Sequence, residues 1–509
     1  MKRPVGSLSI IAAMLLHVHV AYAAVPCESL SSITLPNTTI TLAQSVSAGG
    51  LTLPAGTQNA GPPRAISELP AFCRVAATLK PSTDSDIKIE VWMPVTQWNG
   101  KFEAVGNGGW TGFIAYGPLV TALGRHYAAA STDTGHTGAT GEFALSHPEK
   151  LIDFGYRAVH EMTVQAKAII AAFYGNGPNL SYWDGCSSGG KQGLKEAQRF
   201  PNDYDGIIAG APANNWTHLM ASGVWASAAT LKDTGNYISR EKYAVIHKAV
   251  LDACDALDGV KDGVIGDPTK CKFDPNVLKC AGNDGPDCLT AGQVDAARKI
   301  YAGPSNPRTG QQIFPGLEPG SELGWAAMAG GPRPFAITND HFRYVVFKDP
   351  NWDFRSLNFD RDVDLADRID DGLLNATLAD LRPFFGRGGK LLLYHGWNDQ
   401  LIAPRNTIQY LKSVEAATGS AESLTNSARL FMAPGMMHCA NGDGPNTFDM
   451  LGVMEQWVEQ KSAPERIIAS HSTDGKIDRT RPLCVYPKVA RYVGTGSTDD
   501  AANFACTIP

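Results

Sequence analysis

The sequence predicts an α/β fold carrying one large insertion, on three observations. Up to residue 213, short runs of β-branched and aromatic residues alternate with stretches of helical spacing. From residue 214 to 375 that rhythm gives way to helical pieces and loops rich in Asp, Gly, Pro and Cys. It then resumes with "KLLLY" (Lys390 to Tyr394) and "ARLFM" (Ala428 to Met432), apolar runs that read as buried parallel strands ending in polar loops.

At the N-terminus, Lys2 and Arg3 precede an apolar run from Leu8 to Val20 and the small-residue site Ala21-Tyr22-Ala23. Residues 1–23 therefore read as a signal peptide. No later stretch reaches the ~18 apolar residues needed to span a bilayer. The expectation is an exported protein, periplasmic or extracellular, with no membrane partner. All ten cysteines follow the cleavage site, an even number that suits five disulfides in an oxidising compartment. A net charge of −6 over 509 residues gives no electrostatic reason to expect nucleic acid as a partner.

"IKIEVWMPVTQWNGKFEAV", Ile87 to Val105, reads as two early strands paired with each other, and "GNGGWTG", Gly106 to Gly112, as a glycine-dense loop. Tyr127 to Ser131 is a further strand. Asp153 to Tyr174 has helical spacing, with Ala158, Met162, Ala166, Ile169 and Ile170 on one side. Leu180 to Trp183 is the next strand, Ser188 to Arg199 a helix, and Ile207 to Ala209 another strand. Residues 24–213 and 376–509 then form the catalytic domain. Residues 214–375, entering between the sixth and seventh strands, are expected to lie over the strand ends as a lid.

Gly185-Cys186-Ser187-Ser188-Gly189 is a G-x-S-x-G pattern. Alone it is weak. With a strand before it and a helix after it, the pattern describes the sharp turn that exposes a nucleophilic serine in an α/β-hydrolase. Such a fold places its acid and its histidine later in the chain, in that order. "YHGWNDQLIAP" supplies Asp399 and "APGMMHCANG" supplies His438, each just beyond a strand, with Asp443 a weaker substitute for the acid. The backbone N–H of Ser188 and one from the glycine loop, Gly109 or else Gly108, are the candidate oxyanion donors. His395 and Ile402 flank Asp399 and are expected to touch the substrate.

Cys186 precedes the nucleophile and Cys439 follows the base. If Ser187 and His438 are within hydrogen-bond reach, their neighbours fall within the ~4.4–6.8 Å Cα separation of a disulfide. The competing reading is a catalytic thiol at Cys186, which export and the even count oppose. A second motif, "CDALDGVKDGVIGDP", crowds Asp255, Asp258 and Asp262 together, with Gly259 and Gly263 permitting tight turns. It is either a solvated acidic turn or a loop closed on a hard cation such as Ca²⁺.

At this Cys-Ser … Asp … His-Cys constellation the chain resembles the tannase and feruloyl esterase family. "LPAFCRV", "WNGKF", "GNGGW", "GCSSGGKQGL", "FPNDYDGIIAGAPANNW", "HGWNDQLIAP" and "PGMMHC" carry the resemblance, which spans nearly the whole mature chain. It implies an α/β-hydrolase core with a large inserted lid and hydrolysis of aromatic esters through an acyl-enzyme. It also implies the pairs Cys186–Cys439, Cys27–Cys73, Cys254–Cys271, Cys280–Cys288 and Cys484–Cys506. A structural Ca²⁺ in the lid is implied too, held by Asp255, Asp258, Asp262 and the carbonyls of Val260 and Val264.

Feruloyl and related hydroxycinnamoyl esters, free or attached to plant polysaccharide, are the favoured substrates. Galloyl esters and mono(2-hydroxyethyl) terephthalate are the alternatives within the family. The lid aromatics Trp325, Phe335, Phe342, Tyr344, Phe347, Trp352 and Phe354 are divided between pocket wall and lid core, and Arg333 and Arg343 are its unplaced cations. A silent hydrolase fold used for binding would lack a triad member, and none is missing. A calcium-dependent carbohydrate-binding protein rests on the aspartate loop alone.

Overall fold

A computed structural model describes residues 25–509 apart from 55–56, 58–62 and 420, and the predicted signal peptide lies outside the described residues. Nine strands form one sheet: β1 (Thr38–Val46), β2 (Phe72–Leu79), β3 (Ile87–Pro94), β4 (Lys101–Val105), β5 (Ala128–Thr132), β6 (Leu180–Cys186), β7 (Gly206–Gly210), β8 (Lys390–Gly396) and β9 (Ala428–Ala433). Their order is β1-β2-β3-β5-β4-β6-β7-β8-β9. The pairs β1–β2, β2–β3 and β3–β5 are antiparallel, and every neighbour from β5 to β9 is parallel.

Two expectations need correcting. β3 and β4 do not pair, because β5 lies between them. The chain leaves β4, crosses through the helix Tyr116–Gly124 and returns as β5 parallel to β4, and β3 closes on the far edge of β5. Among the described residues no strand of this sheet lies between Gly210 and Lys390, so the insertion follows the seventh strand.

Period-2 alternation sends neighbouring residues to opposite faces of the sheet. Trp183, Ile207 and Leu391 pack on one face with Phe102, Leu194 and Met162. Tyr182, Ile208 and Leu392 pack on the other with Phe72, Trp92 and Trp457. β5, β7 and β9 are buried along their whole length, which explains why they read as unbroken apolar runs.

The helices Trp216–Leu231, Arg240–Cys254, Ala291–Ala302 and Asp362–Asp370 follow β7 and share a separate core around Trp216, Tyr243, Trp325 and Phe342. Trp325, Phe342 and Phe354 are buried in that core, and Phe335, Phe347 and Trp352 pack against it. Trp110 of the glycine loop also belongs to it. Its ring centroid lies 4.8 Å from that of Trp216 and 4.8 Å from that of Phe154, and its Nε1–H donates to the carbonyl of Ile337 at 2.9 Å. One side chain thus joins the inserted segment to the sheet.

Five disulfides pair Cys27 with Cys73, Cys186 with Cys439, Cys254 with Cys271, Cys280 with Cys288, and Cys484 with Cys506.

Trp110→Ala removes a fully buried indole from the seam between insertion and sheet. The expected cost is about 3–5 kcal/mol, read as a lowered thermal midpoint. An unchanged midpoint would show that the seam does not depend on this ring.

Candidate active site

Ser187 lies between β6 and the helix Ser188–Arg199 with φ 64° and ψ −122°, a conformation an L-residue adopts only under constraint. Three backbone hydrogen bonds hold it there. Its N–H donates to Gly210 O at 2.9 Å, and its carbonyl accepts from Lys191 N at 3.0 Å and Ala213 N at 3.1 Å. The flanking glycines are needed for space. A Cβ on Gly185 would lie 2.6 Å from the Gly189 carbonyl, and one on Gly106 would lie 2.6 Å from Gly189 Cα. Strand, helix and glycine loop therefore meet backbone to backbone.

Cys186 is bridged to Cys439, with 6.0 Å between their Cα atoms. Among the described residues there is no free cysteine, which removes the catalytic-thiol alternative. The bridge ties the residue before Ser187 to the residue after His438. Cys439 itself has a positive φ of 60°. Among the described residues no hydrogen bond links Ser187 Oγ to His438, a contact that in hydrolases often tightens only around substrate.

Asp399 follows β8 and is wholly buried. Its Oδ1 accepts the backbone N–H groups of Leu401 at 2.8 Å and Ile402 at 2.9 Å. Its Oδ2 accepts from His438 Nδ1 at 2.8 Å and His395 Nε2 at 3.0 Å. Burial pushes this carboxyl up, but the charge of His438 and the hydrogen bonds from both imidazoles outweigh it and hold it well below the usual range. Burial lowers His438, and the charge and hydrogen bond of Asp399 more than restore it, so its pKa lies above the ordinary 6.5. With Nδ1–H committed to Asp399, Nε2 is left as the acceptor a general base needs. The backbone N–H of His438 donates to Gln400 Oε1 at 3.2 Å, so the residue beside the acid also fixes the base.

His395 requires a correction. It is fully buried behind Asp399, not in contact with a substrate site. Its Nε2–H faces two acceptors, Asp399 Oδ2 and Ile402 O, each at 3.0 Å, while Nδ1 meets the Thr407 hydroxyl at 2.7 Å. The residue orients the acid. Ile402 is 3% exposed and packs in the core of the insertion, and its backbone holds both Asp399 and His395. Asp443 stands apart from the base, its nearest charged partner being His247 Nε2 at 3.8 Å.

The Ser188 hydroxyl donates to Gly109 O at 2.9 Å, which locks the first turn of the nucleophile's helix to the glycine loop. Gly109 has φ +52°, and a Cβ there would lie 2.9 Å from Ile337 Cδ1. The inserted segment therefore reaches directly over the candidate oxyanion loop. Gly108 has open space at the Cβ position. Arg333 is exposed, and Arg343 stacks over Tyr344 and donates to Pro350 O.

The acidic loop folds onto itself. Asp258 accepts from the N–H groups of Val260 and Gly266, Asp255 from those of Asp262 and Gly263, and Asp262 from that of Val264. Burial raises the Asp258 carboxyl, and the charges of Asp262 and Asp255 add to this, the mark of carboxylates crowded together. Three carboxylates with carbonyls between them are oxygen donors of the kind a hard cation takes. Asp262 is also paired with Arg481, and the three carboxylates do not converge within 4.8 Å of one another. A cavity of about 270 Å³ lies between this loop and the C-terminal strands, and no triad residue lines it.

A strained serine between a parallel strand and a helix, with a disulfide joining its neighbour Cys186 to Cys439 beside a histidine that a buried carboxylate orients, defines a serine ester hydrolase of the α/β-hydrolase fold. The family described as tannase and feruloyl esterase matches residues 73–507, and the chain belongs to it. An uncharacterized esterase of Xanthomonas campestris is 40% identical, over 96% of this chain and 92% of that protein. A probable feruloyl esterase B-2 of Aspergillus oryzae is 35% identical over 93% of each. The crystal structure of feruloyl esterase B from Aspergillus oryzae superposes with a TM-score of 0.88 at 33% identity, covering 94% of this chain and 99% of that one. The protein is a carboxylic ester hydrolase.

If His438 takes the proton of Ser187 it must be neutral to do so, and kcat/KM should then rise with pH through a midpoint above 6.5, the direction of its shift. His395→Phe removes one donor from Asp399. It should lower kcat about 10–100-fold with little change in KM, at the ~1–3 kcal/mol a buried charged hydrogen bond represents. Steady-state kinetics across pH test both, and an unaltered kcat in the variant would deny His395 its orienting role.

Proposed function

We propose that the enzyme hydrolyses feruloyl and related hydroxycinnamoyl esters through an acyl-enzyme, with Ser187, Asp399 and His438 as its triad. The observation that carries the triad is the fully buried Asp399 carboxylate, directed at His438 Nδ1 while the Cys186–Cys439 bridge holds histidine and serine loops together. His438 Nε2 takes the proton of Ser187 as Oγ attacks the ester carbonyl. The backbone N–H groups of Ser188 and Gly109 receive the oxyanion, each such donor being worth about 10²–10³ in rate. Collapse of the intermediate expels the alcohol, which takes the proton from His438. Water activated by the same nitrogen then releases the acid.

The substrate class is supported by the likeness to the feruloyl esterases over nearly the full length of both chains. Galloyl esters are the second reading, because the matching family joins tannases with feruloyl esterases. Export is supported by the five disulfides, and among the described residues no helix is long and apolar enough to cross a membrane. The acidic loop binds Ca²⁺ through Asp255, Asp258, Asp262 and the carbonyls of Val260 and Val264. The ion would neutralise the crowded carboxylates and hold the inserted segment, with no part in bond cleavage.

Product release from methyl ferulate, methyl gallate and mono(2-hydroxyethyl) terephthalate, measured by chromatography, tests the substrate. Methyl ferulate should lead, and Ser187→Ala should lose at least about 10⁴-fold in kcat. Preference for methyl gallate would select the tannase reading, and retained activity in the variant would overturn the nucleophile. For the loop, metal analysis of protein purified without chelator should give one calcium per chain. Its removal should lower the thermal midpoint by on the order of 5 °C, reversibly. Asp258→Asn should show neither the metal nor the shift.

A further inference from the structure

Far from the catalytic groups, three potential ligands converge where two helices and a turn meet. His160 belongs to the helix Ala158–Tyr174, Glu196 to the helix Ser188–Arg199, and Asp203 to the turn that leads into β7. One ligand atom from each lies within 4.8 Å of the others, and among the described residues this is the one group of His, Cys, Asp or Glu that does so. His160 Nδ1 and Asp203 Oδ2 are 2.7 Å apart. The imidazole is stacked on Phe200, with ring centroids 3.7 Å apart and planes 9° from parallel, so its direction is fixed.

Glu196 supplies the second, independent observation. It is 1% exposed, and among the described residues no donor reaches either carboxylate oxygen; burial and the neighbouring Asp203 carboxylate raise its pKa well above the ordinary range. A carboxyl buried without a donor either keeps its proton or meets a cation, because the bare anion is too costly to bury. The Lys167 ammonium acts on Glu196 through its charge only, its hydrogen bond going to the backbone carbonyl of Asp203. His160 and Asp203 remain 28% and 14% exposed at their side chains, so the group is open to solvent from one side.

We propose that His160, Glu196 and Asp203 form a transition-metal site, distinct from the acidic loop, that takes Zn²⁺. One imidazole nitrogen with two carboxylate oxygens suits zinc better than calcium, whose ligands are all oxygen. Zinc–ligand distances of about 2.0–2.2 Å need only a small opening of the His160–Asp203 contact, with water completing a tetrahedron from the exposed side. The ion would clamp the far end of the nucleophile's helix to its neighbouring helix. It would act on stability, not on the ester.

The test is calorimetric titration of Zn²⁺ alone into the chelator-treated full chain, with the acidic loop first saturated with Ca²⁺. The expected result is one zinc per chain and a thermal midpoint that rises with zinc. Both Glu196→Gln and His160→Gln should bind at least about tenfold more weakly and lose the thermal shift, while turnover without zinc is retained. His160 is partly exposed, so its variant decides the matter if Glu196→Gln fails to fold. No zinc bound by the wild type, or equal binding by wild type and a folded variant, overturns the site and leaves Glu196 as a protonated carboxyl.

Discussion

The structure turns on a single strained residue. Ser187 is held at φ 64° and ψ −122°, a conformation that costs of order 1–3 kcal/mol and persists only where its surroundings over-determine it. Those surroundings are backbone packed on backbone. Gly106 and Gly185 leave no space for a Cβ and Gly189 leaves little, and β7 and the turn after it close the ring of hydrogen bonds around the serine. The Cys186–Cys439 bridge reinforces them. Closing a loop across 253 residues is worth roughly 5 kcal/mol in the chain-entropy account, more than the strain it helps to hold. That bridge acts on both catalytic loops at once, whereas a stabilising contact elsewhere in the core would leave their relative position free.

The electrostatics of the base depend on the same rigidity. Burying the Asp399 carboxylate is unfavourable until donors replace water, and four do so: two backbone N–H groups and two imidazoles. His395 is shared between Asp399 and the carbonyl of Ile402, so the acid cannot shift without disturbing the turn that carries it. His438 is therefore oriented by a group that is itself immobilised on every side, and the disulfide at the next residue prevents its loop from drifting.

Much of this was legible in the sequence, because the elements concerned have short-range signatures. The strand–turn–helix context of G-x-S-x-G and the apolar runs of β8 and β9 are local patterns, and the order of acid and histidine follows from the fold class those patterns define. What escaped depends on long-range packing. β3 and β4 are adjacent in the chain, and nothing in their residues shows that β5 will come between them. His395 lies four residues before Asp399, which suggested a neighbour in the pocket, yet β8 carries it inward behind the carboxylate. The insertion's aromatics gave no periodic signal to separate wall from core; of the seven, Trp325, Phe342 and Phe354 are buried core, and Phe335, Phe347 and Trp352 pack against it.

The helix Ser188–Arg199 shows why such a reading fails and what the fold gains. "SGGKQGLKEAQR" looks like a surface helix, yet Ser188 to Ala197 are all buried. Its polar side chains reach different parts of the molecule. The Gln192 carbonyl accepts from Asn107 N in the glycine loop at 3.1 Å, and Lys195 Nζ donates to Gly372 O at 2.6 Å. Lys191 lies between the rings of Phe154 and Trp216, 4.5 and 4.4 Å from their centroids, where burial lowers its pKa to about 7. One face of the helix thus grips the oxyanion loop while others hold the inserted segment. The inserted segment is therefore in contact with the same buried helix that begins at the residue following Ser187.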